Sequence, residues 1–279
     1  MRRPGFHLDA WRFTLYGAAL IVAGICLFPY LVMVSTALKP DAELAGAQSW
    51  LPTAPNWSIF VDIWTDETVL RGLRNSLVIA FGVTFLTLAC AIPAAYALAR
   101  HRFPLRDGFM TVVLVTQMLS PIVVIVPLFQ TATDLGLLGG FPGVILASSA
   151  FILPFSIWLL TGFFSAISTE LEEAATLDAC GRLATLWHVI LPLSLPGLAA
   201  TAVYSFLFGW NEFVISLTFL SAVPEKWPVT VGVFSSIGQW DIGWQALMMT
   251  ALISTLPVLL LFSFVQKYLD RGFATLIGR

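Results

Sequence analysis

The chain has 279 residues, of which 58% are hydrophobic and 11% charged, with a formal net charge of -2. Soluble domains carry roughly 25% charged residues, so this composition, with a mean hydropathy of +0.88, excludes a water-soluble globule. The length admits several membrane spans of about 20 apolar residues each but no large soluble domain, and no nucleic-acid partner is expected.

Residues 1–12 form a short basic segment with Arg2, Arg3 and Arg12, and Phe13–Leu38 is the first uncharged run. That run is too long for a cleaved signal h-region, and no small-x-small site follows it closely, so it reads as a retained signal-anchor helix. Lys39–Arg74 is a long polar connection interrupted by Pro40, Pro52 and Pro55, which predicts an irregular cap with short helices. Further uncharged runs are Asn75–Ala99, Gly108–Gln130, Pro142–Phe164, Pro196–Leu220 and Ile242–Gln266. Gly139–Pro142 marks where the chain turns back into the bilayer. In lipid each run must satisfy its own backbone hydrogen bonds, which a helix does. The expected fold class is therefore all-α, a polytopic transmembrane helical bundle of six spans. A transmembrane domain covers 13–268, and a short tail covers 269–279.

Basic residues set the orientation. With both termini inside, inner segments hold Arg2, Arg3, Arg12, Arg100, Arg102, Arg106, Arg182, Lys267, Arg271 and Arg279, against Lys39, Arg71, Arg74 and Lys226 outside. Both termini are therefore expected in the cytoplasm. Trp50, Trp57, Trp64, Trp227, Trp240 and Trp244 fall in or beside outer segments, where the indole N–H stays near water. Cys26, Cys90 and Cys180 are widely spaced and suggest neither a disulfide framework nor a zinc site. His7, His101 and His188 are scattered and take no metal or catalytic role.

The inner connection 166–195 is the most informative segment. Glu170, Glu172 and Glu173 stand near a helix N-terminus, where the helix dipole favours acids. Thr169 is a candidate N-cap and Gly181 a candidate stop. Leu171, Ala174, Ala175 and Leu177 supply an apolar side with small residues. The segment is either an amphipathic interfacial loop or a helix shaped to lie in another protein's groove. Pro192 and Pro196 re-aim the chain before span five.

Within the spans, Glu212 is an intramembrane carboxylate beside Trp210 and Asn211, and such groups face a polar interior or a partner. Two uses are open: contact with a solute in a pathway, or hydrogen bonding between helices. Gln117 and Ser120, in a span bent by Pro121 and Pro127, are candidate pathway residues or packing irregularities.

The 166–195 loop resembles the EAA signature of importer-type ABC permeases, spaced EAA-x3-G-x9-I-x-L-P. Glu173, Ala174 and Ala175 match its opening and Leu191-Pro192 its close, while Ala179 replaces the glycine and Val189 the isoleucine. The alanine matters only if that backbone needs φ > 0, in which case Gly181 is the expected flexible point. Arg74–Leu77, Ala95–Arg100 followed by Phe103-Pro104, Trp210–Phe213 and Leu217–Leu220 are similar to the maltose-type carbohydrate branch. The tail, Gln266–Leu269 with Arg271-Gly272, matches in part.

The resemblance implies an ABC type I importer permease fold, the smaller six-helix inner-membrane subunit of a bacterial cell. It implies a second permease subunit, two ATPase subunits and an extracytoplasmic solute-binding protein as partners. The helix around Glu173–Cys180, with Glu172, Asp178 and Ala179, would dock in the ATPase, and Glu173 would pair there with a basic group. The cargo implied is a di- or oligosaccharide or related solute.

This chain holds no P-loop: each lysine is followed by Pro40, Trp227 or Tyr268, so G-x4-G-K-[ST] is absent. ATP and Mg therefore belong to the partner, no cofactor or metal is expected on this chain, and it is not read as an enzyme. An ion-coupled secondary transporter is the alternative. Such proteins usually have more spans, inverted repeats and several midplane ionisable groups. A membrane enzyme is disfavoured by the lack of H-E-x-x-H and G-x-S-x-G.

Overall fold

The computed structural model describes residues 6–44, 49–101, 104, 106–118, 120–235, 237 and 243–277. Arg2, Arg3, Arg102, Phe103, Trp240, Ile242 and Arg279, used above for orientation, span limits and family, lie outside the described residues. Every regular element among the described residues is helical.

The chain divides into two units, Met1–Asp66 with Ser235–Thr255, and Glu67–Phe234 with Leu256–Arg279. The first contains α1 (Phe6–Ala37), α2 (Asp41–Leu44) and α3 (Ile59–Asp62). Phe13, Leu20 and Ile25 on α1 are 77%, 73% and 68% exposed, so this helix offers its apolar surface to hydrocarbon or to another chain. The cap that follows is tied by polar bonds: Ser35 donates to the Trp50 carbonyl at 2.6 Å, and Lys39 donates to the Ser49 carbonyl. Glu43 accepts from the Ser49 hydroxyl and from the Thr53 amide and hydroxyl. The Ser49 bond, helped by Thr53 and by the charge of Lys39, holds the Glu43 carboxyl below the usual carboxylate range.

The second unit opens with α4 (Glu67–Arg100), α5 (Arg106–Thr116), α6 (Pro121–Asp134) and α7 (Phe141–Ser165). The inner loop carries α8 (Glu170–Leu177), α9 (Arg182–Thr185), a π turn at Leu186–Ile190 and α10 (Leu191–Leu193). Next come α11 (Leu195–Trp210), α12 (Val214–Phe219), a 3-10 turn at Pro224–Lys226 and α13 (Val229–Ser235). The last helix is α14 (Trp244–Ile277), whose residues up to Thr255 belong to the first unit and whose remainder belongs to the second.

The core of this unit is α4 packed on α7 and α11. One end is filled by Ile79, Val83, Val144, Ile152, Ile215 and Leu220. The other is filled by Ala91, Ala95, Leu160, Phe164 and Ile190. In lipid, helices associate through small residues that let backbones approach, and Gly209 illustrates it. A Cβ there would lie 2.9 Å from the Ala80 Cα and 3.1 Å from the Val83 Cβ, so α11 meets α4 almost backbone to backbone.

Arg12–Ala37, Glu67–Arg100, Phe141–Ser165 and Trp244–Lys267 are long and apolar enough to cross a bilayer. Two further pairs reach that standard only together: Met110–Thr116 with Pro121–Asp134, bent by 94°, and Arg182–Leu193 with Leu195–Trp210, bent by 83°. Counting each pair as one span brings the total to six. The uncharged run 108–130 is thus not a straight helix, and 196–220 is interrupted for a separate reason. The first is interrupted before Pro121, a helix-starting residue without an amide proton. The second ends at Trp210, and the chain restarts at Val214. At the termini, α1 begins at Phe6 and α14 runs to Ile277, so helix extends into both segments expected to flank the membrane domain.

Candidate functional site

The 166–195 loop is a set of short helices fixed at both ends. At the start of α8 the Thr169 carbonyl accepts from the Glu172 and Glu173 amides at 3.0 Å. The Thr169 hydroxyl makes no capping bond; the Ser168 hydroxyl accepts the Glu170 amide instead, at 3.2 Å. The far end is a Schellman motif: the Cys180 amide donates to Ala175 O and the Ala179 amide to Thr176 O, both at 3.0 Å. Ala179 adopts φ +59°, the only positive φ of a non-glycine residue among the described residues. The alanine in the signature's glycine position therefore does occupy the left-handed region.

Gly181 does not relieve this strain. It lies at φ -72° and ψ 162°, extended backbone open to any residue, as the N-cap position of α9. It starts the next helix rather than ending α8, which corrects its expected role. A left-handed L-residue costs about 1–2 kcal/mol relative to its right-handed form, and glycine escapes most of that. Ala179→Gly is therefore expected to stabilise the purified protein by about 1 kcal/mol, read as a higher thermal midpoint. An unchanged or lower midpoint would contradict the strained cap.

Two adjacent carboxylates diverge, since successive helix residues point about 100° apart. Glu172 turns inward with Ala175, its side chain 16% exposed. It pairs with Arg100 Nε and accepts the Tyr96 hydroxyl at 2.9 Å. Glu173, Ala174 and Asp178 are exposed. Leu177, Leu183 and Trp187 are also outward, at 88%, 74% and 64% exposure. The apolar side expected for α8 is thus divided, with Ala175 buried and Leu171, Ala174 and Leu177 presented outward. Leu186, Ile190 and Leu191 enter the core beside Leu160 and Phe164, and Pro192 sits in the first turn of α10. The loop presents one face while its other face is embedded.

The break in span five is built around Glu212, which is 8% exposed. Its oxygens accept the Ile215 amide at 2.6 Å, the Ser216 amide at 2.7 Å and the Ser216 hydroxyl. Its carbonyl accepts the Thr230 hydroxyl at 2.8 Å. The carboxylate therefore serves as the N-terminal cap of α12. Trp210 is 3% exposed and stacks on Phe206 at 5.9 Å, so its ring belongs to helix packing. Asn211 is exposed and donates to the Leu207 carbonyl at 2.9 Å. A cavity of about 440 Å³ lies here, lined by Pro121, Tyr204, Phe208, Asn211, Glu212 and Phe213. Gln117, which donates to the Phe151 carbonyl at 2.5 Å, is not in its wall. Nor is Ser120, at the N-cap position of α6.

Asn75 had no role assigned from sequence. Its amide donates to the Glu225 carbonyl at 2.9 Å and the Trp227 carbonyl at 3.0 Å, and the Ser76 hydroxyl accepts the Val229 amide at 2.9 Å. These adjacent polar residues pin the connection after α12 to α4. Their signal was the polar Asn-Ser pair at the start of an apolar run.

The arrangement agrees with three comparisons. The family model described as binding-protein-dependent transport system inner membrane component matches residues 91–275. The diacetylchitobiose uptake system permease protein NgcG of Streptomyces coelicolor is 31% identical over 260 residues, 92% of this chain and 86% of the relative. The trehalose/maltose transport system permease protein MalG of Thermococcus litoralis is 32% identical over 266 residues, 94% of each chain. Among solved structures, a bacterial ABC transporter importing the acidic polysaccharide alginate superimposes with a TM-score of 0.79 at 24% identity. That match covers 95% of this chain and 99% of the other, and it supports the fold. The ion-coupled and membrane-enzyme alternatives are set aside on these matches. A six-span-length helical membrane chain with an EAA-type loop, matched over most of its length, belongs to the family of binding-protein-dependent transport inner-membrane components, as a multi-pass permease of an ABC importer.

Proposed function

We propose that this permease pairs with a second permease to enclose a carbohydrate pathway and is driven through its 166–195 loop by two separate ATPase chains that hold ATP and Mg. Both termini and the loop lie on the cytoplasmic side, a placement that the distribution of arginines supports. An extracytoplasmic solute-binding protein delivers the cargo, a di- or oligosaccharide or a related solute. The names of the relatives that transport diacetylchitobiose and trehalose or maltose support that class.

The observation that carries the coupling reading is the two-sided loop. Glu173, Ala174, Leu177, Leu183 and Trp187 face outward, while Leu186, Ile190 and Leu191 are set in the helical core. Apolar side chains with a nearby carboxylate suit a groove that has an apolar floor and a basic rim. Because the opposite face is packed, a push on the groove side moves the bundle rather than bending the loop. Asn211 and Tyr204, in the wall of the cavity at the break in span five, are the pathway residues we favour. Trp210 and Glu212 act there as framework.

The test is composition. Tagged chain purified in mild detergent from its native membrane should bring one homologous permease and two copies of a P-loop ATPase, counted by mass spectrometry. Recovery of the chain alone or as a homodimer would overturn the reading.

A further inference from the structure

The loop is joined covalently to α7 and α11, but its bond to α4 spans more than seventy residues of sequence and rests on side chains. Arg100, in the last turn of α4, makes that bond. Its Nε pairs with Glu172 on α8, and its Nη2 donates to the Ile167 carbonyl, just beyond α7, at 3.1 Å. Tyr96, one turn earlier on α4, donates to the other Glu172 oxygen at 2.9 Å. The Arg100 and Glu172 side chains are only 10% and 16% exposed. A pair this dry is little screened, and separating it strands both charges. The guanidinium reaches two acceptors on two elements with fixed geometry, which an ammonium cannot reproduce.

We propose that Arg100 is a positioning residue that, with Tyr96 and Glu172, clamps α8 to the inner end of α4, so that displacement of the loop moves span two together with span five. The inference rests on the coupling reading above and adds to it a second route for the force. The two neighbouring carboxylates divide the work: Glu173 faces the ATPase, and Glu172 holds the loop to the bundle. Since α4 packs on both α7 and α11, moving its inner end re-aims the whole packed trio.

The test uses the complete complex in proteoliposomes with its binding protein and solute, reading ATP hydrolysed per solute imported. Arg100→Lys, which keeps the charge and loses the fork, should raise that ratio about tenfold with subunit recovery unchanged. An unchanged ratio in an assembled variant overturns the clamp.

A second measurement needs no variant at Arg100. Spin labels at exposed Leu177 on α8 and Ala97 on α4, in a chain whose three native cysteines are serine, report their separation with and without ATP. The distance should stay constant within about 2 Å, the scale of ordinary helix shifts; a larger change overturns the clamp even if Arg100→Lys fails to assemble. A wild-type chain that recovers no ATPase would instead remove the coupling reading itself.

Discussion

Glu173→Lys is expected to abolish solute uptake while the chain still inserts and pairs with its permease partner. Glu173 is exposed on α8, beside Ala174 and one turn before Leu177, and no ion pair within the described residues holds it. Its loss therefore leaves the permease's own packing intact. A charge-assisted hydrogen bond contributes about 1.5–3 kcal/mol, and a like charge set against a basic rim costs several kcal/mol more. Each 1.4 kcal/mol is about tenfold in affinity, so ATPase retention should fall at least about a hundredfold. Glu173→Gln should show a smaller defect, because the amide oxygen still accepts. The check is ATPase recovery on the tagged chain together with uptake; full recovery and normal uptake in Glu173→Lys would sink the docking role.

Glu212→Ala should fail earlier, at folding. The carboxylate satisfies the buried amides of Ile215 and Ser216 and the Ser216 hydroxyl, and alanine leaves all three donors without it. A buried donor left unpaired costs about 1–3 kcal/mol, so a loss of about 3 kcal/mol or more is expected. It would appear as reduced accumulation and a lowered thermal midpoint in detergent. Glu212→Gln keeps one acceptor oxygen and should fall between. If Glu212→Ala kept the midpoint and weakened only solute affinity, the residue would be a substrate contact and not a cap.

The sequence and the structure agree best where one local property decides the outcome. The uncharged runs 13–38 and 142–164 correspond closely to α1 and α7, because hydropathy alone dictates a helix in lipid. The importance of position 179 was also readable, since the signature puts glycine there and only a left-handed turn would make alanine matter. Other features depend on distant partners. Nothing local distinguishes Glu172 from Glu173; the difference is Arg100, on another helix. The apolar run 196–220 looked like one span because hydropathy averages over Asn211 and Glu212. The break follows from a carboxylate that binds forward onto backbone amides three and four residues later. Trp210 stands beside two polar residues in sequence, yet its neighbours in space are Phe206, Ala80 and Val229. Gln117 and Ser120 were grouped by proximity in sequence, and the turn at Pro121 leaves only the proline at the cavity.

The 83° bend between Arg182–Leu193 and Leu195–Trp210 makes this part of the chain a bell crank. At about 1.5 Å per residue the shorter arm is about 18 Å long and the longer about 24 Å. A crank turns a push through nearly a right angle, so on the proposed coupling a push by the ATPase on one arm would become a swing of the other. With the pivot at Ser194, between Pro192 and Pro196, the tip at Trp210 travels about a third farther than the point that is pushed. A stroke of about 3 Å would thus arrive as about 4 Å at the end of α11, so a modest closure of the proposed motor would become a wider movement in the permease.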